Sequence, residues 1–252
     1  MTSPLICTLS PAGEGLPFFV VPSVGSTPLA LVRLARSLAP RRVVHAFSFA
    51  GMEDDLPPHR TVEAMATAYV AEVLACFPCG PYLLGGHCFG GAVALEMALR
   101  LEARGETVAR LVALDSIPPP LAIAAPGHDA STGAEPMCRA LENHGRRVLE
   151  TVVVRARGNH AKLPAGVAHR LGGMLTLHIE AAIAYRAGRL RAPVHVLSTG
   201  GGGDALIAGW AAIAGSGVSG EEVPGDTFSM LAPPQVEVVG RCLGAALEAA
   251  ER

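Results

Sequence analysis

The stretch Gly86-His87-Cys88-Phe89-Gly90 sets a thiol between two glycines, each two positions away. This is the G-x-S-x-G spacing of a nucleophile elbow, with sulfur where a hydroxyl is usual. Such a residue suits acyl transfer, because a thiolate is a strong nucleophile near neutral pH. An elbow residue sits in a strained backbone conformation, so its neighbours must carry almost no side chain. A helix beginning just after it would favour both a thiolate and a developing oxyanion. A Cys in a Gly-rich turn can also be simply buried. What favours the nucleophile is the context. The apolar run Pro81-Tyr82-Leu83-Leu84 leads in, and the helix former Ala92 to Leu101 leads out.

A second chemical group follows the next apolar run, Leu111-Val112-Ala113-Leu114. There Asp115-Ser116 precedes Ile117-Pro118-Pro119-Pro120. An Asp before prolines suits a turn. At the carboxyl end of a strand beside the elbow, it also suits orienting and stabilising an imidazolium.

These groups need a frame. Phe18-Phe19-Val20-Val21 is a continuous apolar run of the kind found in buried parallel strands. Further strands are expected at Leu5–Leu9, Val43–Phe47, Tyr82–Leu84, Leu111–Leu114, Pro193–Leu197 and Val218–Val223. Helices are expected at Leu29–Leu38, Thr61–Cys76, Val167–Ala187 and Pro234–Ala249. The alternation predicts an α/β fold, a doubly wound, mostly parallel sheet. In such sheets the chemistry sits at the carboxyl ends of the strands. From Leu121 to about Ala165 the alternation breaks, with one helix expected from Met137 to Val154. We read a helical lid insertion over about 118–166, which would exclude water and shape access. Thr199 to Asp204 is Gly-rich but lacks the strand–GxGxxG–helix arrangement of a dinucleotide site, so a loop is expected there.

The 252 residues, 50% hydrophobic, suffice for one sizeable core, and a single domain over 1–252 is expected. A net charge of -2 offers nothing to nucleic acid. No run reaches the length of a membrane span, and the N-terminus has no signal-peptide pattern. The six Cys form no disulfide-like framework, and Cys76-Phe77-Pro78-Cys79 is a lone CxxC. A reducing, cytoplasmic setting is the default. Neither a metal nor a cofactor is indicated.

Together these residues resemble the type I thioesterase domains that terminate nonribosomal peptide and polyketide assembly lines, which are α/β-hydrolases. The resemblance runs from Leu16–Pro22, through Gly80–Gly91 and Leu114-Asp115-Ser116, to Gly225-Asp226-Thr227-Phe228-Ser229-Met230-Leu231. It implies that a phosphopantetheine-tethered peptide on an upstream peptidyl carrier protein is transferred to Cys88. Water or an internal nucleophile then releases it. It also implies an oxyanion hole made by the backbone N–H groups of Phe89 and Val24.

Two positions depart from the family. Cys88 stands where Ser is usual, so the acyl-enzyme would remain a thioester and keep its activation. Cys-containing members are associated with four-membered rings, β-lactones and β-lactams. The second departure is Thr227, at the position of the family's general base, a His. Thr cannot take a proton from Cys at neutral pH, so either the base has moved or the domain is impaired. Of nine His, His45 and His195 lie within expected strands. His87 points away from the catalytic line in the family, and His59, His128 and His144 are expected to be solvated. His169 falls on a polar helical face. Leu171, Leu175, His178, Ala182 and Tyr185 share one face at helical spacing. A His on an apolar face is commonly a satisfied core residue. The substitution at 227 nevertheless makes His178 the choice for a relocated base, with His160 second.

Two other readings stand beside this one. A dienelactone-hydrolase-like enzyme would use the same Cys on small esters or lactones. A non-catalytic acyl-binding domain would explain Thr227 but not the intact elbow.

Overall fold

The computed structural model describes residues 5–52, 54, 56–121 and 165–252. Seven strands form one sheet: β1 (Ile6–Ser10), β2 (Phe18–Val21), β3 (Val44–Phe47), β4 (Tyr82–His87), β5 (Val108–Leu114), β6 (Val194–Ser198) and β7 (Val218–Glu222). Their spatial order is β1-β3-β2-β4-β5-β6-β7. Only β1 runs antiparallel, pairing with β3 at the edge. The β4 strand is thus central, between β2 and β5, and both of those pairings are parallel.

Side chains alternate across the strands, so each strand feeds two cores. Phe19, Val21, Leu84, Leu111 and Ala113 face α2 (Val62–Cys76), α3 (Gly90–Ala103) and α4 (Ala165–Ala184). Phe18, Val20, Leu83, Val112 and Leu114 face α1 (Val32–Leu38) and α6 (Gln235–Ala249). Strands buried on both faces explain the continuous apolar runs of the sequence. The chain is an α/β-hydrolase fold with a mostly parallel sheet, as expected. Helix α2 begins where Thr61 Oγ1 accepts the Ala64 N–H at 3.1 Å, with Glu63 in its first turn.

One element departs from the sequence reading. The Gly-rich stretch expected as a loop over Thr199–Asp204 runs into α5 (Gly203–Ala211). Ala205, Leu206, Ala208 and Ala211 favour this helix locally, while Gly203 and Gly209 weaken it. It is held by Trp210, which is fully buried and donates its Nε1–H to the Ser116 carbonyl at 2.8 Å. The expected lid falls mostly on residues 122–164, as do the helix expected at Met137–Val154 and His160. All of these lie outside the described residues.

Candidate active site

Parallel pairing of His87 with Leu114 sets Cys88 and Asp115 one residue beyond the register, on neighbouring strands. The Cys88 N–H donates to the Leu114 carbonyl at 2.9 Å, and Ser116 Oγ donates to the Cys88 carbonyl at 2.7 Å. Cys88 and Asp115 are the non-glycine residues with positive φ, at 51° and 45°, among the described residues. Such backbone is costly for residues with a Cβ, and it clusters at functional sites. The glycines of the elbow are sterically required. A Cβ on Gly86 would come within 2.0 Å of the Gly90 carbonyl oxygen, and one on Gly90 within 2.3 Å of the Val21 carbonyl oxygen.

The Cys88 sulfur is 7% exposed as part of its residue and receives hydrogen bonds from the Ser23 hydroxyl and the Phe89 N–H. These donors stabilise a thiolate. Burial opposes them more strongly, and the Asp115 charge adds to burial, so the thiol is pushed up to about 11. Desolvation outweighs the two donors and favours the neutral thiol. The Phe89 N–H opens the first turn of α3 beside the sulfur. Val24 is fully buried in the turn after β2, beside Ser23.

Asp115 Oδ1 accepts the Thr199 N–H at 2.9 Å. Its Oδ2 accepts the hydroxyl of Thr227. The carboxylate thus holds Thr227, in the role a triad gives to an imidazole N–H. The Thr227 carbonyl in turn accepts the His87 Nε2–H at 2.8 Å. Burial lowers the pKa of His87, so the neutral donor form is favoured. His87 therefore anchors the Thr227 loop. No spacing in the sequence pointed to this contact, or to the contacts of Ser23 and Ser116 with Cys88.

His178 faces inward with Leu175, Ala182 and Tyr185, as the helical spacing predicted. It is fully buried, 4.2 Å from the Phe49 ring and stacked at 5.0 Å on Phe89. Its Nδ1 accepts the Gly25 N–H at 3.4 Å, and its Nε2 is buried without a partner among the described residues. Burial drops its pKa to about 3. Among the described residues, the base expected at His178 thus has no hydrogen bond to Asp115, whose carboxylate oxygens accept from Thr199 and Thr227. This imidazole accepts from the Gly25 N–H and packs on the Phe89 ring, and burial lowers its basicity.

That burial has a consequence for stability. His178 titrates at its ordinary 6.5 when unfolded and at about 3 when folded. The neutral form is the folded form, so its stability contribution is complete above pH 6.5 and is lost as pH falls towards 3. By pH 5 the loss is on the order of 2 kcal/mol. His45, His87 and His195 are also lowered by burial and add to it in the same direction. Urea unfolding at pH 7 and pH 5 should show this drop, and His178→Phe, which keeps the ring stack, should reduce it. An unchanged difference in the variant would show that other groups carry it.

No metal-binding cluster of His, Cys, Asp and Glu occurs among the described residues. Nor is any described helix long and apolar enough to cross a membrane.

A thiol elbow on the central strand, with a carboxylate at the end of the next, sits on an α/β-hydrolase fold. Residues 17–245 match the family described as "Thioesterase domain", and the chain belongs to that family. It is 39% identical over 118 residues to atromentin synthetase of Tapinella panuoides, covering 46% of this chain and 12% of that protein. The nonribosomal peptide synthetase btyA of Aspergillus terreus is 34% identical over 101 residues, covering 40% and 11%. The match thus spans about a ninth to an eighth of those synthetases. Among solved structures, the NocB thioesterase domain from the nocardicin cluster matches with TM-score 0.75 and 25% identity over 98% of this chain and 100% of that one. The surfactin thioesterase domain SrfTE shares the fold, with TM-score 0.70 and 20% identity over 97% and 96%.

Proposed function

We propose that this domain releases a phosphopantetheine-tethered peptide from a peptidyl carrier protein through an acyl-Cys88 intermediate. In the first half-reaction the Cys88 sulfur attacks the thioester carbonyl. The carbon–sulfur bond to pantetheine breaks, and the thiol proton ends on the departing pantetheine sulfur. The Phe89 N–H and one from the Val24 turn stabilise the tetrahedral oxyanion. Asp115 holds the Thr227 loop against this site. The second half-reaction is closure of the peptide on itself, forming a β-lactam or another strained ring. The retained thioester activation supports that choice, because ring strain must be driven. The sequence resembles the terminal domain of a monobactam, sulfazecin-type, synthetase in this respect. The domain is read as one unit over 1–252, with a lid over about 118–166, in an antibiotic or related biosynthetic pathway.

The observation that carries the reading is Cys88 itself. Its left-handed backbone at the end of the central strand, with Ser23 and Phe89 donating to the sulfur, has no structural purpose that a smaller residue would not serve better. Incubation with a peptidyl thioester of N-acetylcysteamine should add one acyl mass to the intact protein. Cys88→Ala should remove that adduct entirely. A folded native protein that gains no mass, even from a loaded carrier protein, would favour an acyl-binding domain without catalysis. Thr227 on Asp115 is the observation on that side.

A further inference from the structure

We propose that Thr227 determines how the acyl-enzyme is discharged. By holding the Asp115 carboxylate where an imidazole would otherwise sit, it denies water a general base and leaves the acyl-Cys88 thioester to a nucleophile on the substrate chain. This rests on the acyl-Cys88 reading above.

Thr227 is fixed at two points. Its hydroxyl donates to Asp115 Oδ2, and its carbonyl accepts from His87 Nε2 at 2.8 Å. The other carboxylate oxygen is held by the Thr199 N–H at 2.9 Å. Among the described residues, no imidazole touches Asp115. Among the described residues, the titratable groups near Thr227 have contacts of their own. His87 spends its Nε2–H on the loop backbone, and His178 is committed to the Gly25 N–H and two aromatic rings. Asp226, next in the chain, accepts the Phe228 and Ser229 N–H groups.

The two discharges differ in what they ask of the protein. In hydrolysis, a water oxygen forms a bond to the acyl carbon, the carbon–sulfur bond breaks, and a base must take a proton from water during attack. General-base assistance of this kind contributes about 10²–10⁴-fold. In ring closure, an N–H or O–H of the chain attacks the same carbon and the same bond breaks. The proton passes to the departing Cys88 sulfur. That nucleophile is already held by the chain it will close, so proximity replaces much of the activation. A site with Thr227 on its acid therefore penalises water more than it penalises the chain.

The test uses a hexanoyl thioester of N-acetylcysteamine, which carries no internal nucleophile. The native chain is loaded, excess thioester is removed, and the acyl-Cys88 mass is followed with time between pH 6 and pH 9. The adduct should decay slowly, with a rate that rises tenfold per pH unit, as hydroxide attack requires. Thr227→His should shorten its lifetime by about 10²-fold or more, with a rate that levels off above the pKa of the new imidazole. Thr227→Ser keeps the hydroxyl on Asp115 and should retain the slow decay. A native adduct that decays rapidly with a flat pH profile would overturn the proposal, because a base would then already be present. So would a folded Thr227→His variant whose adduct lives as long as the native one. Should Thr227→His fail to fold by circular dichroism, the native pH profile and Thr227→Ser decide the question. Absence of any adduct on the native chain would overturn the acyl-Cys88 reading, and this proposal with it.

Discussion

Replacing Cys88 by Ser should cost about 10²–10⁴-fold in acyl loading, although the two side chains differ by one atom. A serine hydroxyl needs a base at the moment of attack. Asp115 has Thr227 on it, and His178 is buried to a pKa of about 3, so neither supplies one. Sulfur tolerates the same surroundings because even a small thiolate fraction is highly nucleophilic, and because Ser23 and Phe89 stabilise that fraction. The double variant Cys88→Ser/Thr227→His should recover much of the loss, since it restores a Ser, His and Asp in one line. Loading is read as the rate of acyl mass gain, or of free thiol release. A Cys88→Ser variant that loads as fast as the native chain would show that a base acts on residue 88 after all. A double variant no better than the single would show that the Thr227 loop cannot present an imidazole to the elbow. The two results are strongly non-additive by construction, because the second substitution matters only in the context of the first.

Gly86→Ala should be among the most damaging single-methyl changes at the described glycines. The new Cβ would fall 2.0 Å from the Gly90 carbonyl oxygen, a backbone atom in the first turn of α3. No rotamer relieves a Cβ, so the strand and helix must part. Overpacking of this kind costs about 3 kcal/mol, at the upper end of its usual range. For a chain of this size that is a fall of roughly 6–12 °C in the melting temperature. The same displacement moves the Phe89 N–H away from the sulfur, so loading should fail even at temperatures where the variant is folded. A variant that melts within a degree or two of the native chain would show that the elbow has more room than its geometry suggests.

The sheet was legible because its strands are buried on both faces, and that leaves unbroken apolar runs such as Phe18–Val21. Cys88 and Asp115 were legible because each follows such a run, one flanked by glycines and one by prolines. What the sequence hid was contact between distant segments. Ser23, Ser116 and His87 touch the elbow or the Thr227 loop across the fold, and none is spaced from Cys88 in a repeating way. The inward face of α4 was read correctly from helical spacing, but spacing cannot report the dielectric around a side chain. His178 looked like a displaced base. The structure surrounds it with two aromatic rings and a backbone N–H, none of which the spacing could show. Helix α5 was missed because the glycines at its start argue locally for a loop, although Ala205, Leu206 and Ala208 favour the helix that Trp210 anchors against the Ser116 carbonyl.

Peptide groups on both sides of the nucleophile are bonded to the strand that carries the acid: the Cys88 N–H to Leu114 and the Cys88 carbonyl to Ser116. The Asp115 N–H is bonded in turn to Leu197 on the next strand, at 2.7 Å. Nucleophile and acid therefore belong to one rigid body, and their separation does not vary with whatever acyl chain arrives. Adaptation to different substrates has to come from segments outside these three strands. Diversification of what the domain accepts is in that sense uncoupled from the precision of what it does: the surrounding segments can drift in sequence while the reacting atoms stay in register.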